Sequence, residues 1–307
     1  MSPSPEAPCP LCGGTEYQPV TQTATVSVYV CRICGLSRTV PRHTAAATEL
    51  YTPDYHRQHS YLADPLNERV ARMRLDMLHR LKPATRTFLD VGCATGYAVQ
   101  IARDYGWESY GTDISEFATD YARRERHLTG IYTGSLIEAR LPSHHFDIIY
   151  CHHVLEHLPD PLENLREMHR LLKPEGILFI SVPNLHSVKH WLRGNAWYTP
   201  YHLYNYDAGT LRRMIEKAGF RILKLWTDSP GFVPLRRRRR VTTVTSQAMA
   251  TDAQKKAIAT RSVKRGVIRA YAVAANFIAD RLGWGDNLNV LATLTDSTAF
   301  TRVEFDV

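Results

Sequence analysis

The sequence lacks long hydrophobic runs, and its first residues lack the features of an export signal. No apolar stretch approaches the roughly 20 residues that a membrane-spanning helix needs. The first six residues carry neither the basic head nor the apolar middle of a signal peptide. With 44% hydrophobic and 22% charged residues, the composition also excludes disordered, collagen-like and coiled-coil proteins. These features predict a globular protein of the cytoplasm.

Acidic residues are outnumbered, but the positive excess is concentrated in one segment. The 307 residues carry a formal net charge of +8, and five of these charges lie in the run Arg236–Arg240, which leaves 8 minus 5, or +3, for the rest. Charge therefore does not indicate a nucleic-acid-binding surface over the whole molecule. A solvated loop is the default interpretation of five adjacent arginines. Contact with phosphates of RNA or of a nucleotide-linked sugar, or with anionic lipid, is the alternative.

Cysteine is scarce beyond the N-terminal segment, where four of the six cysteines lie. They form two C-x2-C pairs separated by 18 residues: Cys9, Cys12, Cys31 and Cys34. This spacing is typical of a four-thiolate zinc site, which would stabilise a segment too short to fold alone. Two disulfides or four unrelated thiols are the alternatives, and the lack of an export signal disfavours disulfides. We predict a structural zinc ribbon over residues 1–42, with Thr23–Val30 as a hairpin strand.

From about residue 85, short apolar runs alternate with amphipathic stretches, which predicts a parallel sheet covered by helices. The candidate strands are seven short runs: Thr87–Val91, Ser109–Thr112, Ile131–Thr133, Phe146–Tyr150, Ile177–Val182, Arg221–Thr227 and Leu288–Thr295. Asp160 followed by Pro161 predicts the start of one helix. Asp207 predicts the start of another, which Gly219 ends.

A glycine-rich turn follows the first predicted strand. Asp90 lies near the end of that strand and the turn contains Gly92 and Gly96. Asp113 comes 21 residues past Gly92, at the end of the second predicted strand. A glycine turn lets a ligand approach the backbone, and an acidic residue after the second strand can accept hydrogen bonds from both ribose hydroxyls. Tyr97 stands where a nicotinamide-binding fingerprint has its last glycine, which disfavours a pyrophosphate site. The pattern therefore predicts nucleoside binding.

Five motifs in order carry a resemblance to a known family: Asp90-Val91-Gly92-Cys93-Ala94-Thr95-Gly96, Asp113, Phe146-Asp147-Ile148-Ile149, Val154-Leu155-Glu156-His157 and Leu172-Lys173-Pro174-Glu175-Gly176. Over about residues 85–227 the chain resembles the class I S-adenosylmethionine-dependent methyltransferases, in the small-molecule subgroup related to ubiquinone-biosynthesis methyltransferases. The resemblance implies a Rossmann-like α/β fold: a seven-stranded, mostly parallel sheet with helices on both faces and an antiparallel last strand. It also implies an enzyme that transfers a methyl group from S-adenosylmethionine.

The domain organisation combines this resemblance with the zinc ribbon. We expect the ribbon at 1–42, a linker and N-terminal helical segment at 43–84, and the methyltransferase domain at 85–307. A basic loop and helical insertion interrupts that domain at about 232–285. The apolar stripe of a helix at about 252–281 predicts packing on the sheet or a homodimer contact.

The resemblance also assigns cofactor-binding residues. It implies that the glycine turn passes under the methionine part of the cofactor, that Asp90 orients the turn and that Asp113 binds the ribose. The predicted set is Asp90, Gly92, Cys93, Gly96, Asp113, Ile114, Ser135, Leu136 and His152. Two positions depart from the family pattern. Ala94 replaces the central glycine of the turn, and Ser135 stands where many members have an acidic residue for the adenine amino group.

The cysteine pairs and the linker after them are similar to a branch of these enzymes that carries an N-terminal zinc ribbon. That branch includes C-methyltransferases of deoxysugar biosynthesis. The resemblance therefore implies a small-molecule acceptor in secondary-metabolite, sugar or quinone-type biosynthesis, and it leaves O-, N- and C-methylation open.

Several histidines follow the fourth predicted strand of the sheet. Methyl transfer is an in-line displacement, so a base is needed only when the acceptor must lose a proton, and histidine suits that step near neutral pH. We predict two catalytic residues: His152, nearest the expected methyl position, and His202, on a segment that covers the acceptor in related enzymes. Tyr204 is a further candidate for acceptor contact. A hydrogen-bonded lid residue is the alternative for His202, and a packed residue of the fold is the preferred interpretation of His157.

Two other functions compete with a small-molecule methyltransferase. An RNA methyltransferase could use the ribbon and Arg236–Arg240 to bind RNA, but no N-P-P-Y-type base-clamping signature follows the fourth strand. A non-catalytic zinc-containing binding module is the second alternative, and the intact glycine turn argues against it. A covalent cysteine mechanism would suit base methylation, but Cys93 and Cys151 are more simply interpreted as small buried residues. We therefore expect a small-molecule partner and do not favour nucleic acid.

Overall fold

The computed structural model of the chain describes residues 7–41, 65–229 and 276–297. Outside the described residues lie the arginine run Arg236–Arg240, most of the predicted insertion at about 232–285, and residues 43–64 of the predicted linker. The larger part of the predicted helix at about 252–281 lies there too. Within the described ranges, eleven strands form two sheets, one of seven strands and one of four.

The elements are numbered in chain order. The strands are β1 (Tyr17–Gln22), β2 (Val26–Cys31), β3 (Ser37–Pro41), β4 (Thr87–Val91), β5 (Glu108–Asp113), β6 (Ile131–Thr133), β7 (Phe146–His152), β8 (Leu172–Pro183), β9 (Tyr204–Asn205), β10 (Phe220–Asp228) and β11 (Asn287–Leu294). The helices are α1 (Pro65–Leu81), α2 (Tyr97–Asp104), α3 (Glu116–Arg124), α4 (Pro161–Leu171), α5 (Val188–Arg193) and α6 (Ala208–Lys217). Single 3-10 turns cover Leu155–His157 and Gly194–Trp197, and residues 276–281 are helical.

The large sheet has the strand order β10-β11-β8-β7-β4-β5-β6. The pairs from β8 to β6 are parallel, whereas β11 runs antiparallel to both β8 and β10. The predicted seven-stranded, mostly parallel sheet with an antiparallel last strand is therefore confirmed. Because β7, β4, β5 and β6 are neighbours and parallel, their carboxyl ends meet at one edge of the sheet, where open α/β folds bind ligands.

Both faces of this sheet are buried under helices. Successive side chains of a strand point to opposite faces, so the adjacent residues Phe88 and Leu89 of β4 enter two different hydrophobic clusters. The cluster around Phe88 includes Leu75 of α1 and Ile101 of α2. The cluster around Leu89 includes side chains from α4 and α6, such as Leu165. Helices on both faces are therefore confirmed.

Two helix starts follow the predicted capping chemistry. Asp160 accepts a hydrogen bond from the Glu163 amide (2.9 Å), with Pro161 at the first helical position of α4. Asp207 and Thr210 form a reciprocal capping box at the start of α6. That helix ends before Gly219, whose φ of +94° lies in the left-handed region that favours glycine.

The N-terminal segment forms the four-stranded sheet, with the order β1-β2-β3-β9. Its strand β2 begins at Val26 rather than at the expected Thr23, because the Thr23 hydroxyl accepts the Val26 amide (3.1 Å) and closes a turn before the strand. The short strand β9 comes from much later in the sequence, more than 160 positions after β3, and it pairs antiparallel with β3. The ribbon sheet is thus completed by residues that follow β8 by about 20 positions.

The same segment also packs against helix α6. Arg213 donates from Nη2 to the Cys34 carbonyl (2.5 Å), and Lys217 donates from Nζ to the Leu11 carbonyl (2.7 Å). Leu11 is buried in the same hydrophobic cluster as Leu89. The N-terminal segment therefore shares the core of the large sheet. Among the described helices, none is both long enough and apolar enough to cross a membrane.

Candidate active site

The turn between β4 and α2 requires glycine at two positions. Gly92 has a φ of +72° and Gly96 a φ of +81°, both in the left-handed region. A Cβ atom at Gly92 would lie 2.3 Å from Cγ2 of Val154, and one at Gly96 would lie 2.5 Å from Cδ1 of Leu128. Ala94, between them, also has a positive φ, of +44°. The turn therefore brings the backbone close to the carboxyl end of β4.

Asp113, at the end of β5, ties this turn to the start of α3. Its Oδ2 accepts the Ala94 amide (2.8 Å), and its Oδ1 accepts the Ser115 amide (2.9 Å). Each oxygen of a carboxylate has two lone pairs, so each can still accept a hydrogen bond from a ligand hydroxyl. Burial raises the pKa of Asp113. Burial, and then the charge of Asp113, raises the pKa of Asp90 well above its usual value.

The loop after β6 supplies an acidic side chain that the sequence interpretation missed. The Ser135 amide and hydroxyl both donate to Oε2 of Glu138, at 2.8 and 2.7 Å. The Glu138 amide in turn donates to the Ser135 hydroxyl (3.3 Å), which completes a reciprocal capping pattern. The Ser135 hydroxyl and amide hydrogen bonds lower the pKa of Glu138. This loop therefore carries a carboxylate at Glu138, three residues after Ser135, the position where the family often has an acidic residue.

The structure gathers the predicted cofactor residues at one edge of the sheet. The turn with Gly92 and Gly96 follows β4, Asp113 ends β5, Ser135 follows β6, and His152 ends β7. These four strands are adjacent. Ile114 directly follows Asp113 and is half-buried, whereas Leu136 is buried in the hydrophobic core.

The two cysteines outside the N-terminal segment, one in the turn after β4 and one in β7, are buried. Cys93 lies in a small hydrophobic cluster with Val99 and Ala122, and Cys151 lies in the main core. Burial raises the pKa of both thiols well above the usual value. Because the thiolate is the nucleophilic form, this supports small buried residues as the interpretation of both.

His152 offers a buried polar atom at this edge. Its ring lies nearly parallel to that of Tyr150, and its Nε2 is buried without a hydrogen-bond partner among the described residues. Burial lowers the pKa of His152 well below the usual value, so its imidazole is neutral near pH 7. A neutral imidazole with an unsatisfied nitrogen is a candidate partner for a bound ligand.

Three more histidines surround the carboxylate of Glu156. His153 donates from Nδ1 to Glu156 Oε1 (3.2 Å), and Nε2 of His157 lies 3.7 Å from the same oxygen. The rings of His157 and His202 meet edge to face, with centroids 4.9 Å apart. Burial would raise the pKa of Glu156, but the charge of His157 and the hydrogen bond from His153 lower it to about 2. Burial lowers the pKa of His202 to about 4, against the opposing charge of Glu156.

The backbone of residues 201–206 forms hydrogen bonds with members of this cluster. His157 donates from Nδ1 to the Tyr201 carbonyl (2.8 Å), and the Leu203 amide donates to the Glu156 carbonyl (2.8 Å). The hydrogen bond to Tyr201 fixes the position of His157, which is both packed in the fold and a member of the cluster. The structure thus brings His202 beside Glu156 and His157, which follow the end of β7.

This chain is similar to known proteins. A family model described as a methyltransferase domain matches residues 56–225, which is more than half of the chain. The chain belongs to this methyltransferase family.

Individual relatives agree with the family. A Mycolicibacterium smegmatis protein with the name Probable S-adenosylmethionine-dependent methyltransferase is 29% identical over 139 residues, which are 45% of this chain and 53% of that protein. The ubiquinone biosynthesis O-methyltransferase of Pseudomonas paraeruginosa is 34% identical over 107 residues, covering 33% of this chain and 46% of the relative. The chain thus spans about half the length of the curated relatives it matches.

A solved structure supports the fold. An S-adenosylmethionine-dependent methyltransferase from Archaeoglobus fulgidus superimposes with a TM-score of 0.52 at 18% identity. The superposition covers 79% of this chain and all of the other. At this identity, the likeness concerns the architecture of the methyltransferase rather than its acceptor.

The four N-terminal cysteines of the methyltransferase converge. All four sulfur atoms lie within 4.8 Å of one another, and the Cys9–Cys34 and Cys12–Cys31 sulfur pairs are each 3.5 Å apart. Four thiolates about 2.3 Å from a tetrahedral zinc ion would be about 3.8 Å apart, so the donor set fits such an ion. The Gly14 amide approaches the Cys12 sulfur (3.4 Å), as amides around metal-bound thiolates do.

The ribbon of the methyltransferase is linked directly to the histidine cluster. The Thr39 amide of β3 donates to the Leu203 carbonyl (2.9 Å), and the Leu203 amide is the group bonded to Glu156. Tyr204, which we expected at the acceptor, is instead buried, with its hydroxyl donating to the Pro159 carbonyl (3.2 Å). The pairing of β9 with β3 turns this side chain into the shared core, and its contact with an acceptor stays a prediction.

Proposed function

We propose that the protein transfers the methyl group of S-adenosylmethionine to a small-molecule acceptor. The main support is the position of the 201–206 segment, whose backbone forms hydrogen bonds with Glu156 and His157 after the carboxyl end of β7. A segment bonded over this end of the sheet suits a small acceptor better than a polymer. The likeness to ubiquinone biosynthesis O-methyltransferases supports the same class of acceptor.

The cofactor site is proposed from residues that share one sheet edge. The backbone of Gly92, Cys93 and Gly96 would lie under the methionine part, with Asp90 orienting the turn. Each oxygen of Asp113 already accepts a hydrogen bond from one backbone amide. Its remaining lone pair would accept a hydrogen bond from a ribose hydroxyl. The adenine end is assigned to a group of side chains around the β5 and β6 ends: Ile114, Ser135, Leu136 and Glu138. When bound, S-adenosylmethionine supplies an electrophilic methyl group on a sulfonium centre.

His152 and His202 are the proposed catalytic residues. In-line displacement needs an acceptor held near the methyl group with water excluded, and a hydroxyl acceptor must also lose its proton. His152 contributes a neutral imidazole with a buried, unsatisfied Nε2 in the described structure. His202 lies on the segment over the cluster and would contact the acceptor. Both proposed roles belong to the β7 end of the site, whereas the adenine end is assigned to the β5 and β6 ends.

The four N-terminal cysteines are proposed to hold a structural zinc ion. Four protein ligands leave no open coordination position, so this ion would not take part in catalysis. Its effect would be to hold the ribbon, and through β3 the 201–206 segment, in place.

The test is the fate of a labelled methyl group. The protein would be incubated with methyl-labelled S-adenosylmethionine and either a ribonuclease-treated metabolite extract or purified total RNA. We expect label in the small-molecule fraction and a large loss in His152→Ala, but none in His186→Ala, an exposed histidine outside the cluster. Label confined to RNA, with binding that weakens steeply as salt rises, would establish the RNA alternative instead. Cofactor binding without transfer to either fraction would favour the non-catalytic module.

A further inference from the structure

Glu156, His157 and His202 have the spacing of ligands to one metal ion. One donor atom from each residue lies within 4.8 Å of the other two. Two ligands of a single ion, at bond lengths of about 2.0–2.4 Å, can be at most about 4.8 Å apart. One carboxylate and two imidazoles form a donor set that suits iron, manganese, cobalt and zinc. We propose that these three residues bind a divalent transition-metal ion at the acceptor end of the site, separate from the four cysteines.

The orientation of His157 supports this site. A carbonyl oxygen can only accept, so the bond to Tyr201 requires the proton to be on Nδ1 of His157. The lone pair is then on Nε2, the nitrogen that lies 3.7 Å from Glu156 Oε1. Metal-binding histidines usually donate their other ring nitrogen to a carbonyl or carboxylate in this way. The backbone therefore fixes the tautomer that a metal ligand needs.

The carboxylate of Glu156 lacks a full set of partners. The side chain is 1% exposed, and Oε2 has no hydrogen-bond partner in the described part of the chain. Its ion pairs there are to His153 and His157, and neither partner is a permanently charged lysine or arginine. A buried carboxylate is unfavourable unless cations or hydrogen bonds compensate it. A divalent cation beside Oε2 would supply that compensation, while His153 orients the carboxylate through Oε1.

His202 is held by its neighbours in the backbone. Tyr201 before it is bonded to His157, and Leu203 after it is bonded to Glu156 on one side and to Thr39 on the other. The residue between two such anchors has little freedom to move away from the cluster. A metal site needs this kind of support from rigid elements.

Three protein ligands would leave coordination positions open, as in catalytic metal sites. A hydroxyl-bearing acceptor could bind there through its oxygen, which would lower the pKa of the hydroxyl, so that its proton passes to the neutral imidazole of His152 as the oxygen takes the methyl group. His202 would then act on the acceptor through the ion, whereas His152 would remain an imidazole outside the metal's ligand set. The inference adds a metal to the proposed function, and its failure would leave cofactor binding at Asp113 unaffected.

The test uses cobalt as the probe. Protein whose cysteines carry one equivalent of zinc would be titrated with Co²⁺, followed by calorimetry and by absorption. We expect one further equivalent to bind, with weak d–d bands and no thiolate-to-cobalt charge-transfer band. Glu156→Gln and His202→Ala should each weaken this binding at least about tenfold. His186→Ala should not, because His186 is exposed and lies outside the cluster.

Three results would overturn the proposal. The wild type could take up no cobalt beyond the cysteines, or show only the charge-transfer band. Both cluster variants could bind cobalt as tightly as the wild type. The His186→Ala variant could lose binding to the same extent, which would indicate adventitious histidine binding. S-adenosylmethionine affinity within about threefold of the wild type would show that each variant is folded, and its absence in all proteins would count against the methyltransferase function instead.

Discussion

Ala94 is held in a backbone conformation that L-residues avoid. Its φ of +44° places it in the left-handed region, between two glycines that share the turn. A non-glycine residue there costs about 1–2 kcal/mol. Glycine removes this strain but loses about 0.5–1 kcal/mol through the greater freedom of the unfolded chain. The departure from the family's glycine is therefore tolerated at a small cost in stability.

Ala94→Gly should raise the free energy of unfolding by about 0.5–1 kcal/mol, the difference between these two effects. Urea unfolding followed by circular dichroism measures it. Gly92→Ala is the matched control and should lower the same quantity by about 1–3 kcal/mol, because its new Cβ would overlap Val154. A loss of stability in Ala94→Gly would contradict the assigned turn conformation.

Residue roles could be predicted from the sequence where a local pattern specifies them. Asp113 follows a recognisable strand at the right distance from Gly92, and the structure places it against the turn. Glu138 lies beyond Gly134, Ser135 and Leu136, the positions where the resemblance predicts the acidic residue. The S-x-x-E pattern from Ser135 to Glu138 is a capping signal that could have revealed it. No local pattern could join His157 to Tyr201, since 43 residues separate them.

At the scale of elements, strand centres were predictable and strand limits less so. Thr87–Val91 and Ile131–Thr133 were predicted with their observed bounds, because turn residues delimit these apolar runs. β8 begins at Leu172, five residues before the predicted start, because its first residue pairs with Phe146 of β7. Strand β9 has only two residues, and its partner β3 lies more than 160 positions away, so no periodicity could predict it.

Removing zinc should loosen the 201–206 segment more than the cofactor turn. The proposed ion holds the ribbon, and β3 of the ribbon bonds to β9 and to Leu203. Amide hydrogen exchange should therefore become faster at residues 203–206 in chelator-treated protein and in a Cys9→Ser/Cys12→Ser variant.

Peptides from α1 and α2 are the internal reference for that experiment, because the core cluster that their side chains enter contains no ribbon residue. Their exchange should stay the same. Unchanged protection at 203–206 in protein shown by metal analysis to be zinc-free would contradict a link between the ribbon and the histidine cluster.

At the scale of the molecule, the ribbon is part of one continuous structure with the methyltransferase fold. Cys9, Leu11 and Cys31 are buried in the cluster that also contains core residues of β4 and β7. The sequence predicted both parts from separate signals, the cysteine spacing and the strand pattern. It could not predict their contact, because packing between segments distant in sequence does not change the spacing of residues within either segment. The role of Arg236–Arg240 stays a prediction, since the run lies outside the described residues.

The central claim is that the sheet edge formed by β4, β5, β6 and β7 binds S-adenosylmethionine. Calorimetry of the purified protein with this cofactor tests it most directly. We predict one site in the wild type and at least about tenfold weaker binding in Asp113→Ala, because charged hydrogen bonds are worth about 1.5–3 kcal/mol each. Asp104→Ala, at an exposed acidic residue ending α2, should bind like the wild type. Absence of binding by the folded wild-type protein would contradict the account.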